Sequence, residues 1–166
     1  MRRPALFLAL LLCASPVVAR DAMGIFGAWG AFRDAGVPRC YAIAMANPPR
    51  GAINGSAREA QPYADIGFWP KRAIRGALHA RLSHRVAAGA PIQLALAGQK
   101  FALAGGGLDA WSADARMDAA IIAAMRSGES MTIASRDSAG RLFSDAYALS
   151  GAATAMDAAM LACAGR

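Results

Sequence analysis

The sequence predicts a β-rich α+β domain: an antiparallel sandwich or barrel-like sheet with two short helices. Three observations support this prediction. Short segments of apolar or alternating residues recur along the chain. Glycine- and proline-containing turns separate most of these segments, and most of them are close enough to pair as hairpins. Only two segments have the periodicity of a helix. Short strands joined as hairpins are typical of antiparallel sheets.

The first 19 residues are predicted to be a cleavable secretory signal peptide. Two arginines follow Met1, residues 5–14 are an unbroken apolar run, and small residues precede a cleavage site after Ala19. The apolar run is too short to cross a membrane, which takes about 20 residues. We therefore expect one β-rich envelope domain over 20–166, periplasmic or secreted and with no transmembrane segment in the mature form.

Two alternatives apply to this N-terminal segment. It could be a buried helix, although its charged flank favours a signal peptide. Cys13 could carry a lipid, but Leu12 stands where a lipid-attachment site would have a small residue.

Two cysteines remain after the predicted cleavage, Cys40 and Cys163. In an oxidising compartment, two is the number for one disulfide bond. The long loop that it closes would stabilise the fold by about 4–5 kcal/mol in the chain-entropy model. Two separate buried thiols are the alternative. Neither cysteine has a partner at C-x-x-C or C-x-x-H spacing, so we expect no metal site there.

Strands are predicted wherever a short apolar or alternating run is bounded by turn residues, after a short lead-in at 22–26. The run at 39–45 is apolar on both faces, which indicates a central strand. The clearest hairpin joins two runs through Ala97-Gly98-Gln99, and the triple glycine at 105–107 is interpreted as a break. The predicted strands are 29–33, 39–45, 63–69, 77–83, 92–96, 100–103, 130–135 and 142–149.

Two segments are predicted to be helices. The first covers 109–127, with aspartates near its start and Gly128 as its stop signal. The second lies in the alanine-rich segment 152–163. Its first residue is expected to be Thr154, with Asp157 three residues later as a weak capping box. The buried core is expected to contain Trp29, Cys40, Ile43, Leu82, Leu94, Phe101, Ile121, Ile133, Tyr147 and Met160.

Several segments together resemble a known family. They are Trp29, the run Pro-Arg-Cys-Tyr at 38–41, the apolar helix before Ser127-Gly128, the run Phe-Ser-Asp-Ala-Tyr-Ala-Leu-Ser-Gly at 143–151, and the late Cys163. Over most of the mature chain this pattern is similar to the invasion-associated locus B family of exported bacterial proteins. The resemblance implies a β-rich periplasmic or surface-associated domain without known catalysis, and it supplies no catalytic residues. Arg33 stands where fuller members tend to have an extra cysteine.

The most distinctive surface feature is a basic stretch in the middle of the chain. The formal net charge is +7, and residues 66–108 contain six lysines and arginines but no acid. An exported protein would use such a stretch to bind an anionic envelope component or an acidic protein surface; nucleic acid is not expected. A solvated basic face is the alternative. The candidate binding residues are Lys71, Arg72, Arg75, Arg81 and Arg85.

No motif indicates catalysis. On a continuous strand, His79 and His84 would point to opposite faces, so we expect no shared metal. The triple glycine fits neither a P-loop nor a dinucleotide-binding motif, and no serine lies in a G-x-S-x-G elbow. We therefore predict no catalytic residues and no cofactor, and a non-catalytic binding or structural role in the cell envelope. The alternative is a small secreted hydrolase-type enzyme whose active site the sequence does not reveal.

Overall fold

The computed structural model of the protein describes residues 20–34, 36–49 and 58–164. The predicted signal peptide and its cleavage site lie outside these residues. The described elements are β1 (Arg20–Phe26), β2 (Trp29–Asp34), β3 (Arg39–Met45), β4 (Tyr63–Trp69), a 3₁₀ turn (Pro70–Arg72), β5 (Ile74–Val86), β6 (Ile92–Leu96), β7 (Gln99–Trp111), α1 (Ala115–Met125), β8 (Ser130–Arg136), β9 (Leu142–Ala148) and α2 (Ala152–Ala164).

The strands pair in the order β1-β2-β3-β4-β5-β7-β6-β8-β9, and every pairing is antiparallel. The predicted fold class is confirmed, and the sheet does not close into a barrel. We call β1–β5 with the second half of β7 the first sheet, and the first half of β7 with β6, β8 and β9 the second sheet. Among the described residues, no helix is long and apolar enough to cross a membrane.

The triple glycine is the corner between the two sheets and not a break, which corrects the sequence prediction. Strand β7 pairs with β6 before the glycines and with β5 after them. Gly105 has φ +156°, and a Cβ atom there would lie 2.3 Å from the backbone oxygen of Asp109. Only glycine tolerates that conformation and that close approach, so the strand bends there without ending.

The same corner changes the start of the first helix. Residues 109–111 belong to β7, so α1 begins at Ala115 and not at the predicted Asp109. The side chain of Asp114 accepts a hydrogen bond from the amide of Met117 and caps the helix. Helix α2 begins at Ala152, before the predicted Thr154.

Helix α2 lies on the inner face of the first sheet and contacts β1 to β4. Its C-terminal end is tied to β3 by the disulfide bond Cys40–Cys163, whose Cα atoms are 6.0 Å apart. The predicted disulfide is therefore confirmed.

Most of the predicted core is buried, but three residues are not. Ile43 and Phe101 are half-buried, because Ile43 lies on the opposite face of β3 from the core and Phe101 lies near the end of a hairpin. Met160 is 44 % exposed. The stripe of α2 that faces the sheet is centred on Ala155 and Ala159, which leaves Met160 on the flank of the helix. Trp29, Cys40, Leu82, Leu94, Ile121, Ile133 and Tyr147 are buried as predicted.

The two ends of the strand order approach each other without pairing as strands. The indole Nε1 of Trp29 donates to the oxygen of Ala148 at 2.9 Å, and the amide of Ala28 donates to Ser150 at 3.0 Å. A third bond, 2.7 Å long, runs from the amide of Asn47 to Ala146. These contacts cover the free edge of β9, which would otherwise present unpaired backbone groups.

Candidate functional site

Alternate residues of β3, β4, β5 and β7 form the two faces of the first sheet. The inner face is apolar and packs under α2, whereas the outer face is polar and aromatic. Cross-strand pairs place Asp65 beside His79, and His79 beside Trp111. Two residues further along each strand, on the same face, Tyr63 pairs with Arg81, and Arg81 pairs with Asp109. We define the outer face by Arg39, Tyr41, Tyr63, Asp65, Trp69, His79, Arg81, Asp109 and Trp111.

Five of these side chains form an unbroken line of alternating charge, which we call the charge ladder. Arg39 donates to Asp65 at 2.8 Å, and Arg81 donates to Asp109 at 2.8 Å. Between the two carboxylates lies His79, with Nδ1 2.9 Å from Asp65 and Nε2 3.1 Å from Asp109. Both ring nitrogens face a carboxylate oxygen. A neutral imidazole has one N–H, so both hydrogen bonds are made at the same time only when the ring is an imidazolium.

The carboxylates raise the pKa of His79 above its ordinary value. The hydrogen bond that Asp65 accepts from the ring is the largest cause, and burial of the ring opposes it. Asp65 is itself only 1 % exposed, so its attraction for the ring is weakly screened by water. In its charged form the imidazole has no lone pair to accept a proton, so that form does not act as a general base.

Aromatic rings border the charge ladder on both sides. The ring of His79 lies 5.5 Å from Trp111 and 5.7 Å from Tyr63, centroid to centroid. The Arg39 guanidinium lies 4.4 Å from the ring centroid of Tyr41 and 5.2 Å from that of Trp69. Distances of this size are those of cation–π contacts.

A glycine makes room for one of these rings. A Cβ atom on Gly67 would lie 2.4 Å from the Trp69 indole, so the ring rests directly on the sheet backbone. Any larger residue at Gly67 would displace it.

The five predicted anion-binding residues are not brought into one patch. Lys71 and Arg72 are in the 3₁₀ turn, Arg75 follows at the start of β5, and all three are exposed. Arg81 is paired with Asp109 in the charge ladder. Arg85 lies ten residues beyond Arg75 on the same strand, roughly 33 Å away if that strand were fully straight. Their role in binding stays a prediction.

Clefts surround the exposed group of cations. One, of about 420 Å³, lies against α2 and includes Phe68, Ile74 and Met160. An adjoining cleft of about 580 Å³ lies against α1 and includes Ile122. Arg75 lines both clefts. Within the described residues, Lys71, Arg72 and Arg75 make no salt bridge, so their charges face solvent.

The second histidine lies on the other side of β5, as the strand alternation predicted. His84 is buried against Phe143, with ring centroids 5.4 Å apart. Its Nδ1 lies 3.6 Å from Glu59, too far for a hydrogen bond. The described part of the chain contains no group of three or more His, Cys, Asp or Glu side chains that could hold a metal ion.

A buried acid lies near this histidine on the inner face of β9. Asp145 is fully buried and accepts a hydrogen bond from the amide of Ser83 at 2.9 Å. Its Oδ1 has no hydrogen-bond partner among the described residues, and neither has the hydroxyl of Tyr147. Burial raises the pKa of Asp145. The Asp145 carboxylate accepts from a backbone amide and not from His84. Ser83, His84 and Asp145 therefore do not form a Ser-His-Asp relay.

Comparison with known proteins adds no relative. No family model matches the chain, and neither a curated protein nor a solved structure is significantly similar to it. The resemblance to the invasion-associated locus B family therefore stays a prediction.

Proposed function

We propose that this chain is an exported, non-catalytic binding domain of the bacterial cell envelope, of the kind implied by its resemblance to invasion-associated locus B proteins. Its ligand is an anionic lipid, bound where Lys71, Arg72 and Arg75 meet the clefts beside α1 and α2. The observation that carries this proposal is the exposed group of three cations, which have no salt-bridge partner among the described residues. Arg75 lines an apolar cleft, and Lys71 and Arg72 lie between Pro70 and Ala73, which line the same cleft.

The charges supply the long-range part of the attraction. The 3₁₀ turn buries none of its residues, and Ala73 ends it in the left-handed conformation, with φ 55°. Lys71 and Arg72 are therefore displayed on a short protruding turn, with Arg75 beside them. Near an anionic membrane surface, each such cation contributes about 1 kcal/mol of attraction.

The clefts supply the apolar part. Phe68, Ile74 and Met160 line the cleft next to α2, and Met160 is unusually exposed for its type. A lipid acyl chain that enters such a cleft gains about 0.8 kcal/mol for each methylene removed from water. An apolar cleft beside clustered cations thus matches a molecule with an acyl chain and an anionic headgroup.

This proposal places three of the five predicted cations in the site and leaves Arg81 and Arg85 outside it. Arg81 is neutralised by Asp109, and Arg85 lies toward the other end of β5. If sequence proximity were sufficient, all five would contribute equally. If the arrangement in the fold decides, only Lys71, Arg72 and Arg75 contribute.

Co-sedimentation with lipid vesicles tests the proposal. The exported protein should bind phosphatidylcholine vesicles that contain phosphatidylglycerol, should not bind phosphatidylcholine alone, and should bind less at high salt. The triple variant K71E/R72E/R75E should lose more than about tenfold in affinity, given the contribution of each cation.

The matched control is R85E/K100E/R116E, which makes the same change in charge at exposed positions elsewhere. It should retain most of the binding. An equal loss in both triple variants would show that only net charge matters and would overturn the proposed site. Binding to soluble tripolyphosphate without binding to vesicles would overturn the lipid as ligand.

A further inference from the structure

The outer face of the first sheet differs from the basic group in that its charges are balanced. Arg39, His79 and Arg81 are each within hydrogen-bond distance of Asp65 or Asp109. Neither a polyanion nor a polycation would find a surface of opposite sign there. The ladder instead offers donors and acceptors side by side, since guanidinium groups donate and carboxylates accept.

The ladder is only partly accessible to solvent. The side chains of Arg81, Asp109 and Arg39 are 37 %, 28 % and 28 % exposed, that of His79 is 22 % exposed, and that of Asp65 is 2 % exposed. A ligand on this face would therefore contact mainly the two arginines and Asp109, while the buried Asp65 holds Arg39 and His79 in place.

The rings beside the ladder provide apolar contact area on the same surface. Trp111 is 46 % exposed, and Tyr63 and Trp69 are half-buried. A surface that combines aromatic faces with fixed, paired hydrogen-bonding groups complements a sugar ring. Such a ring has an apolar C–H face and a rim of hydroxyls that both donate and accept hydrogen bonds.

We propose that the outer face binds a neutral oligosaccharide chain, with Trp111 stacked against one sugar ring, the exposed part of Trp69 in contact with another, and Arg81, Asp109 and Arg39 hydrogen-bonded to sugar hydroxyls. This site adjoins the proposed lipid site, since Arg39 and Lys71 line a common cleft, but neither proposal depends on the other.

The separation of the two tryptophans sets the length of the ligand. Trp111 pairs with His79 on β5, Trp69 pairs with Ile74 on the same strand, and one strand lies between the two rings. Strand geometry places their Cα atoms roughly 19 Å apart, and the Trp69 ring lies back over Gly67, on the side toward Trp111. A single sugar cannot contact both rings, so the ligand is an extended chain whose affinity grows with length until both rings are covered.

Two competing modes of binding remain at this face. Strands β3, β4 and β5 have a paired strand on both sides, but residues 107–111 of β7 pair only with β5 and form an edge of the first sheet. A peptide added to that edge would bind through backbone groups, so Trp111→Ala would leave its binding unchanged. The second competitor is another copy of the chain, and the test below includes both outcomes.

Tryptophan fluorescence measures the binding directly. The chain has three tryptophans, and Trp29 is fully buried, so changes in emission report on Trp69 and Trp111. The exported protein is titrated with two neutral series of increasing length, N-acetylglucosamine oligomers and cello-oligosaccharides. Affinity should rise with length in at least one series.

Two variants locate the site. Trp111→Ala should weaken binding of the longest oligomer by about tenfold, a change typical of a lost stacking contact. Trp69→Ala should leave the shortest bound oligomer unaffected and remove the gain with length. Calorimetry replaces fluorescence for these variants, because each has lost a reporter ring.

Controls separate this site from the rest of the molecule. Leu142→Ala removes a 73 % exposed apolar side chain on β9 and should not change saccharide binding. The proposal is overturned if neither series binds, or if Trp111→Ala binds as tightly as the unmodified chain. It is also overturned if the protein self-associates and Trp111→Ala abolishes that association, since the face would then belong to a second copy.

Discussion

The inner and outer faces of the first sheet are built from alternate residues of the same strands, yet they are stabilised in different ways. The inner face has small side chains, among them Ala42, Ala64 and Ala80, all fully buried. The alanine-rich side of α2 packs on this face. The outer face instead holds buried and half-buried charges in fixed pairs. Apolar contact therefore stabilises the inner face, while charge pairing orients the polar side chains of the outer face.

Two fully buried carboxylates sharpen this comparison. Asp65, on the outer face, is paired with Arg39 and His79. Asp145 faces the core. Its Oδ2 accepts a hydrogen bond from Ser83, and its Oδ1 has no hydrogen-bond partner among the described residues. The cost of burying an ionised carboxylate depends on its partners, so the two acids should affect stability in opposite directions.

The largest expected effect belongs to the inner face. Replacing both cysteines, C40S/C163S, should lower the free energy of unfolding by about 4 kcal/mol, because the bond closes a loop with a sequence separation of 123. Urea unfolding of the variant beside the oxidised parent measures this. If the variant does not fold, unfolding of the parent after dithiothreitol treatment gives the same quantity. A difference below about 1 kcal/mol would contradict this role of the bond.

On the outer face, Asp65→Ala should cost about 3 kcal/mol, because it leaves Arg39 and His79 partly buried without their shared anion. Asp109→Ala is the matched control. It removes a carboxylate with the same kinds of partner but with a side chain 28 % exposed, so its cost should be about 1 kcal/mol. Equal losses in the two variants would mean that burial does not set the strength of the ladder.

His79→Gln should destabilise the protein in a pH-dependent way. The folded pKa of His79 is raised above 6.5, so the contribution of its charged form is complete below that value and is lost as the pH rises through the folded pKa. Urea unfolding should show a cost of about 2 kcal/mol near pH 5.5 and little cost near pH 9. A cost that is the same at both pH values would show that the ring contributes by packing and not by charge.

Asp145→Asn should raise the free energy of unfolding, whereas the substitutions at Asp65 and His79 lower it. The folded pKa of Asp145 is raised above 3.8, so the parent loses stability as the pH rises from 3.8 through the folded pKa. The asparagine stays neutral and should be about 1 kcal/mol more stable at pH 7, with no advantage below pH 3.8. Thermal unfolding at the two pH values checks this, and a less stable variant at pH 7 would contradict it.

The smallest effect on stability is expected at the basic group. Arg75→Glu should change the free energy of unfolding by less than about 0.5 kcal/mol, since Arg75 is exposed and has no salt-bridge partner among the described residues. The same variant should weaken binding to anionic vesicles. A large loss of stability would show that Arg75 supports the fold, and that its vesicle result cannot be assigned to binding.

Local sequence patterns were sufficient for much of the sheet. The limits of β3, β4 and β6 match the predicted ranges, because alternation or a continuous apolar run ends at a clear turn signal in each case. Strand β7 could not be predicted in this way. A glycine run is typical of a loop. Two tertiary features show that this run is a bend inside a strand: the pairing of β7 on both sides of it, and the close approach of the Asp109 backbone to Gly105.

The candidate site was less predictable than the fold. Asp109 was assigned to a helix, and Asp65 lies in an otherwise apolar strand, so neither was identified as a partner of His79. These residues meet only because β4 and β7 pair on either side of β5. An acid within an apolar strand was the available signal. Conversely, the five cations between Lys71 and Arg85 are close in sequence but are spread over the 3₁₀ turn and the length of β5, so the predicted patch divides.

The disulfide bond also determines how the domain would carry mechanical load. Tension applied at residues 20 and 164 would pass along β1, β2 and the start of β3 to Cys40, and then across the sulfur–sulfur bond to Cys163. Strands β4 to β9 and both helices up to Cys163 lie inside the covalent loop and would bear none of it. Only residues 20–39 could be extended, by about 70 Å, compared with about 500 Å for the reduced chain. A domain pulled at these two residues would thus keep β4 to β9 folded under force.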